Sequence, residues 1–140
     1  MQKELAQLNK LIKKQEGMYH QLAKKSGLTD SKFWVMYALV EAGGTLCQNV
    51  FCNHYYYPKQ TVNTAVTSLE KDGYVYLELK DGSKKQKDIK LAPLGEAFCD
   101  EYIRPLMQKE EDALLALEKN QRETFFQTFA QLVAYFDEEL

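Results

Sequence analysis

Residues 57–75 combine a polar helix with an abrupt glycine stop, and this stretch constrains the fold more than any other. Pro58 suits the first helical position, because its missing N–H would have no partner there. Gly73 stands where a left-handed residue ends a helix, and Tyr74–Leu79 then predicts a strand. One face of the predicted helix is a narrow apolar stripe at helical spacing, formed by Val62, Ala65, Val66 and Leu69.

The opposite face of this helix carries hydrogen-bonding side chains and few of the carboxylates of a merely solvated helix. Gln and Asn suit the edges of adenine, whereas Ser, Thr and Lys suit phosphates or mixed base edges. The sequence therefore predicts a helix that enters the major groove of DNA. Its predicted base contacts are Gln60, Asn63, Thr64 and Thr67, and its predicted phosphate contacts are Lys59 and Thr61.

Size and composition indicate one mainly helical domain. The chain has 140 residues, 45% of them hydrophobic, with only three prolines and seven glycines. The chain lacks an apolar run of transmembrane length, and its first residues lack the apolar core of a signal peptide. We therefore expect a cytoplasmic protein with no membrane partner, in which Cys47, Cys52 and Cys99 stay reduced.

The formal net charge of −2 is unevenly distributed along the chain. Residues 1–93 hold 14 Lys or Arg and 9 Asp or Glu, a balance of +5. Residues 94–140 hold 4 and 11, a balance of −7. Because phosphate is attracted by a local positive surface, the acidic total does not exclude DNA binding.

The segments around the polar helix predict a winged helix-turn-helix at about residues 29–92. Helices are predicted at 2–25, at 30–42 with Thr29 as N-cap, and from a Thr45 cap to about His54. Tyr56 occupies the short turn into the polar helix, where glycine is frequent.

Two short strands around residues 80–87 predict a β-hairpin wing. Residues 80–90 contain five Lys and two Asp. Such a loop alone is typical of a solubilising surface, but beside a polar helix it would reach the DNA backbone or minor groove. The wing residues predicted to contact DNA are Lys84, Lys85 and Lys87.

Residues 93–140 predict helices with a large apolar surface. A long helical run from Pro93 to about Lys119 would kink or restart at Pro105. The last helix, at about 121–138, carries a wide apolar stripe that includes Phe125 and Phe129. This stripe could pack on its own domain, but pairing with residues 2–25 and their copies in a second chain is favoured. The dimer would present two reading helices.

Three segments resemble MarR-type transcription regulators. Residues 58–63 (PKQTVN) and 69–75 (LEKDGYV) resemble the recognition helix and the following strand, and 91–95 (LAPLG) resembles the start of the fifth helix, with Ala92 in place of the Thr cap. The resemblance covers nearly the entire chain. It implies a homodimer that binds pseudo-palindromic operator DNA, usually as a repressor released by a small molecule or an oxidant.

The wing tip departs from the family pattern. An Asp-x-Arg pair is usual there, and the corresponding positions are Ser83 and Lys85. A lysine supplies the charge of arginine but lacks its planar fork, so weaker minor-groove binding is expected.

Other chemistry has less support in the sequence. Tyr19, His20 and Tyr37 are candidates to line a pocket for a small aromatic effector, although for each of them a role as a core aromatic with a polar tip is favoured. Cys47 and Cys52 would not share a helical face, which argues against a metal site with His54. No catalytic constellation or cofactor loop is predicted, and we expect no enzyme. The alternative to a regulator is a winged-helix protein-interaction module without sequence-specific DNA reading.

Overall fold

The computed structural model describes residues 1–138. These residues divide between two compact units, residues 1–104 and residues 105–138. The first unit contains the helices α1 (Gln2–Ser26), α2 (Asp30–Glu41), α3 (Gln48–Tyr55), α4 (Lys59–Lys71) and α5 (Pro93–Phe98), and the strands β1 (Thr45–Cys47), β2 (Val75–Leu79) and β3 (Lys87–Leu91). A π-helical segment, Cys99–Ile103, leads into α6 (Arg104–Leu115), and α7 spans Lys119–Glu138. The predicted fold class, mainly α with a β-hairpin wing in a winged helix-turn-helix, is confirmed.

The core of the first unit forms where α2 packs against α4. Phe33, Met36 and Leu39 of α2 are almost completely inaccessible to solvent. The predicted stripe of α4 is buried as well, with Val62 and Leu69 at 0% exposure. Since a buried stripe fixes the rotation of a helix about its own axis, the polar face of α4 must point outward.

The wing belongs to a three-stranded antiparallel sheet with the order β1-β3-β2. Ile89 in the central strand pairs with Leu46 of β1 on one side and with Leu77 of β2 on the other. The predicted Thr45 helix cap is wrong, because Thr45 lies in β1 opposite Lys90. Burial of Leu46 against Ile89 favours the extended conformation over another helical turn.

The helix boundaries differ in detail from those predicted. Pro58 is not the first helical residue but the extended N-cap of α4, and its carbonyl accepts the Val62 N–H at 3.1 Å. Thr29 is the N-cap of α2 without a side-chain capping bond, and its hydroxyl lies 3.5 Å from the Ser31 hydroxyl. Gly73 adopts a left-handed φ of 83° after α4, as predicted.

The turn between α3 and α4 is built on an unusual residue. Tyr56 has a φ of 57° and is the one non-glycine residue with a positive φ among residues 1–138. Its side chain is 90% exposed, so packing does little to hold it there. Tyr56 thus fills the left-handed position that glycine ordinarily takes in this turn.

The predicted helical run after Pro93 does restart at its second proline. Arg104 donates its backbone N–H to the Cys99 carbonyl five residues back, which is a π-type bond. Pro105 has no N–H and cannot continue the regular pattern, so the wider turn precedes it. The run then ends at Leu115, and α7 begins at Lys119, slightly before the predicted 121.

The second unit consists largely of α6 and α7, and it leaves a broad apolar surface exposed in the single chain. Within residues 1–138, no helix is both long and apolar enough to cross a bilayer. Residues 139 and 140, at the end of the segment 93–140 predicted for dimerisation, lie outside the described residues. The exposed large apolar side chains of α7 are Phe125, Phe126, Phe129, Leu132, Val133, Tyr135 and Phe136.

Candidate nucleic-acid interface

The polar face of α4 is open to solvent. Each residue predicted to contact DNA from this helix is exposed, namely Lys59, Gln60, Thr61, Asn63, Thr64 and Thr67. Directly behind them Val62 and Val66 are buried. Such a helix, anchored by one face and polar on the other, has the shape and the chemistry to enter a major groove.

Two side chains on this face are already engaged in hydrogen bonds. The Thr64 hydroxyl donates to the Gln60 carbonyl at 3.0 Å, so its proton is directed into the helix. The Asn63 Oδ1 accepts a hydrogen bond from Nε2 of Gln48, the first residue of α3. The helix therefore presents Asn63 in an orientation that another helix helps to set.

The wing tip is organised by the Ser83 hydroxyl. Its oxygen accepts the backbone N–H of Gln86 at 2.9 Å and that of Lys85 at 3.3 Å. The Lys80 N–H donates to the Gln86 carbonyl at 2.8 Å and closes the loop. Ser83 thus acts as a turn-forming acceptor and holds the adjacent Lys85 backbone.

The lysines of the wing are not equivalent. Lys90 lies in β3 and pairs across the sheet with Glu78 at 3.4 Å, which neutralises its charge locally. The three predicted wing contacts, Lys84, Lys85 and Lys87, are exposed at or beside the tip. The positive charge of the wing is therefore concentrated at its end.

A groove beside α4 adds residues that the sequence did not single out. It has a volume of about 380 Å³ and joins the start of α2 to the first turns of α4. Lys32 stands among hydroxyl groups there, and anions favour such an arrangement near a helix N-terminus. The spacing along the chain gives no sign of this proximity. The groove is lined by Thr29, Ser31, Lys32, Gln60, Thr61, Thr64 and Ala65.

Two of the three residues predicted to line an effector pocket lie against Trp34. The Trp34 ring is 4.9 Å from the Tyr19 ring and 5.0 Å from the Tyr37 ring, between centroids. His20 does not join this ring cluster in a ring contact, but points its Nδ1 at the Asp30 carboxylate, 2.9 Å from Oδ1. The structure therefore places Tyr19 and Tyr37 beside Trp34 and places His20 in an exposed contact with Asp30.

The aromatic contacts continue from Trp34 to Tyr57, which precedes α4. Trp34 contacts Tyr55 at 5.8 Å, and Phe51 stacks on both Tyr55 and Tyr57. Burial and the Asp30 charge both raise the pKa of Tyr57, so this phenol stays neutral. Packed aromatics thus connect α1 and α2 with the segment that leads into the polar helix.

The three cysteines are free thiols with different exposure. Cys47 is partly exposed, whereas Cys52 and Cys99 are buried. Burial raises the pKa of the Cys99 thiol to about 11, which keeps it protonated and unreactive at neutral pH. Across the described part of the chain, no group of three or more His, Cys, Asp or Glu could hold a metal ion.

A protein-family model matches the part of the chain that carries most of this interface. Residues 26–86, from the end of α1 to the wing tip, match the family model described as "MarR family". This part of the chain is similar in sequence to the MarR family. No curated protein has a detectable sequence match to the chain.

Solved structures extend the MarR likeness to almost the full chain. A MarR family regulator from Neisseria meningitidis superimposes with a TM-score of 0.72 at 22% identity, covering 97% of this chain and 94% of that one. MarR from Oenococcus oeni PSU-1 gives 0.72 at 15% identity, covering 93% and 98%. NadR, solved in complex with 4-hydroxyphenylacetate, gives 0.68 at 20% identity, covering 87% and 88%. At these identities the likeness establishes the fold of MarR regulators.

Proposed function

We propose that the protein is a transcription regulator, acting as a repressor, that binds pseudo-palindromic operator DNA as a homodimer. Helix α4 enters the major groove, and the wing lysines contact the backbone or minor groove. The observation that carries this proposal is the exposed polar face of α4 opposite its buried stripe. A helix held in this way can present base-reading groups without losing its packing.

Lysines for phosphate contacts are available besides those of α4. The tip lysines of the wing are exposed, and Lys32 lines the groove beside the first turns of α4. Because phosphate contacts fix register without reading sequence, these lysines would position α4 while its amide side chains discriminate bases. The DNA affinity should then fall steeply with salt. Each phosphate contact should lower the logarithm of the affinity by about 0.9 for every tenfold increase in salt concentration.

The second copy of the chain is supported by the surface of α7. Phe125, Phe126 and Phe136 are each at least half exposed in the single chain. A contiguous apolar surface of this kind marks an interface rather than a surface facing water. A two-fold dimer would place one α4 in each of two half-sites about one helical turn of DNA apart.

A small aromatic effector would control the spacing of the two reading helices. The rings of Tyr19 and Tyr37 flank Trp34, and ring contacts continue from Trp34 through Tyr55 and Phe51 to Tyr57, which precedes α4. NadR binds 4-hydroxyphenylacetate in the same fold, which makes this phenol the first candidate probe. A ligand can release DNA only if it binds one spacing more tightly than the other.

The test is duplex binding across a salt series, with DNA that flanks the protein's own gene. We expect a preference for a palindromic site over random duplex and a linear fall of log affinity with log salt. Lys59→Glu with Lys85→Glu should abolish binding. The matched control, Lys10→Glu with Lys109→Glu, makes the same charge change outside the winged part. It should leave most affinity intact once sedimentation shows that its oligomeric state equals that of the wild type.

The alternative is a protein-interaction module that kept the winged helix without DNA reading. The −7 balance of residues 94–140 and the Ser83 and Lys85 substitutions at the wing tip motivate it. A flat salt response, with duplex binding unaffected by the two substitutions at Lys59 and Lys85, would favour this alternative over the regulator.

A further inference from the structure

Gln48 and Asn63 form a side-chain hydrogen bond between α3 and the exposed face of α4. Nε2 of Gln48 donates to Oδ1 of Asn63, 15 residues further along the chain. Gln48 is partly buried, whereas Asn63 is exposed. The bond therefore ties an outward-pointing side chain to one whose position is set by the packing of a different helix.

We propose that Gln48 is a positioning residue that determines which end of the Asn63 amide faces the DNA. In this way it sets the base preference at the position that Asn63 contacts. The inference rests on the proposed function, because it requires α4 to lie in the major groove.

The chemistry of the amide explains why its orientation matters. An Asn side chain has one acceptor oxygen and an amino group with two donors. An Asn that uses both ends pairs bidentately with N6 and N7 of adenine. When Gln48 holds Oδ1, the amino group is the end left for a base. It matches guanine, whose N7 and O6 are both acceptors.

The bond does more for orientation than for stability. Asn63 is exposed, so water replaces the hydrogen bond when Gln48 is removed, and the net cost to folding is small. The side chain then regains its rotamer freedom and presents either end. Gln48→Ala should therefore alter discrimination between bases while leaving the fold and non-specific DNA affinity nearly unchanged.

Gln48→Glu supplies the opposite constraint. A carboxylate accepts hydrogen bonds and cannot donate to Oδ1. It would instead accept from the Asn63 amino group, which turns the amide oxygen toward the DNA. The preferred base should then change to one with an exocyclic amino donor, adenine or cytosine.

The experiment is enrichment of binding sites from a random duplex library by the full-length wild-type protein, Gln48→Ala and Gln48→Glu. Wild type should enrich a palindromic site with guanine at one position of each half-site. Gln48→Ala should weaken the preference there by about two- to tenfold. Gln48→Glu should reverse it, with the remaining positions unchanged.

Two controls test whether the effect comes from the orientation of the Asn63 amide. The first tests the added negative charge, and the second tests a direct contact between Gln48 and DNA. Asn53→Asp places the same new charge on an exposed residue of α3 and should lower affinity without changing the preferred base. In an Asn63→Ala background, Gln48→Ala should have no further effect on base preference. An effect that persists there would show that Gln48 acts independently of Asn63 and would overturn the inference.

The failures of the inference and of the proposed function are distinguishable. If wild type enriches a palindromic site and both Gln48 variants enrich the same site with the same preferences, the inference is wrong and the regulator stands. If wild type enriches no sequence, the proposed function fails and the inference falls with it.

Discussion

A Cβ atom on Gly95 would lie 1.9 Å from the carbonyl oxygen of Tyr74. The same oxygen accepts the Ala92 N–H at 3.0 Å. Gly95 is thus the point where the start of α5 meets the residue that precedes β2. This close approach of the backbone explains why residue 95 is a glycine.

Gly95→Ala should destabilise the folded protein by about 1–3 kcal/mol, because the new methyl group meets backbone rather than a movable side chain. Urea unfolding at fixed protein concentration measures the loss. The control is Gly17→Ala in α1, where nothing lies within 4 Å of the added carbon. Gly17→Ala should stabilise by about 0.5–1 kcal/mol, and equal effects of the two changes would contradict this account.

Tyr56→Gly should stabilise the protein by about 0.5–1 kcal/mol. The left-handed conformation costs a non-glycine residue about 1–2 kcal/mol, and the larger entropy of an unfolded glycine offsets part of the gain. Tyr76→Gly, at an exposed strand position, should destabilise instead. Thermal or urea unfolding of both variants distinguishes them, and a loss of stability in Tyr56→Gly would show that the tyrosine ring is held by contacts.

Ser83→Ala should weaken DNA binding with little effect on global stability. The substitution removes the acceptor for the Lys85 and Gln86 N–H groups, so the wing tip loses its fixed shape. Faster amide exchange at those two residues would report the loosened turn directly. Ser83→Thr keeps the hydroxyl and should behave as wild type, so a DNA-binding defect shared by both variants would refute the turn-forming role.

Trp34 is the single tryptophan and provides a reporter for the effector hypothesis. Titration with 4-hydroxyphenylacetate should give a saturable change in its fluorescence, because the Tyr19 and Tyr37 rings flank the indole. Tyr19→Ala should shift the saturation to higher concentration, whereas Tyr76→Ala should not. A linear, unsaturable change that is the same in all three proteins would argue against a pocket at Trp34.

Local patterns predicted the recognition segment of this chain well. The stripe of α4 is buried, Gly73 is left-handed, and the hairpin after it forms a wing. These features depend on residues a few positions apart, so helical spacing and turn chemistry are enough to predict them.

Features that depend on distant contacts were missed or misread. Strand β1 exists because Leu46 pairs with Ile89, far along the chain, and Thr45 alone resembles a helix cap. The Gln48–Asn63 bond and the place of Lys32 in the groove likewise need the packing of helices against each other. The sequence predicts a kink or restart at Pro105 but not the π-type turn that precedes it.

The most direct test of DNA reading by α4 is a hydroxyl-radical footprint on the duplex flanking the protein's own gene, at physiological salt. We expect two protected half-sites about 10 base pairs apart or a multiple of that, and we expect the protection to be lost when Asn63 and Thr67 are both changed to Ala. Even protection along the whole duplex, or a footprint that survives both substitutions, would contradict DNA reading by α4.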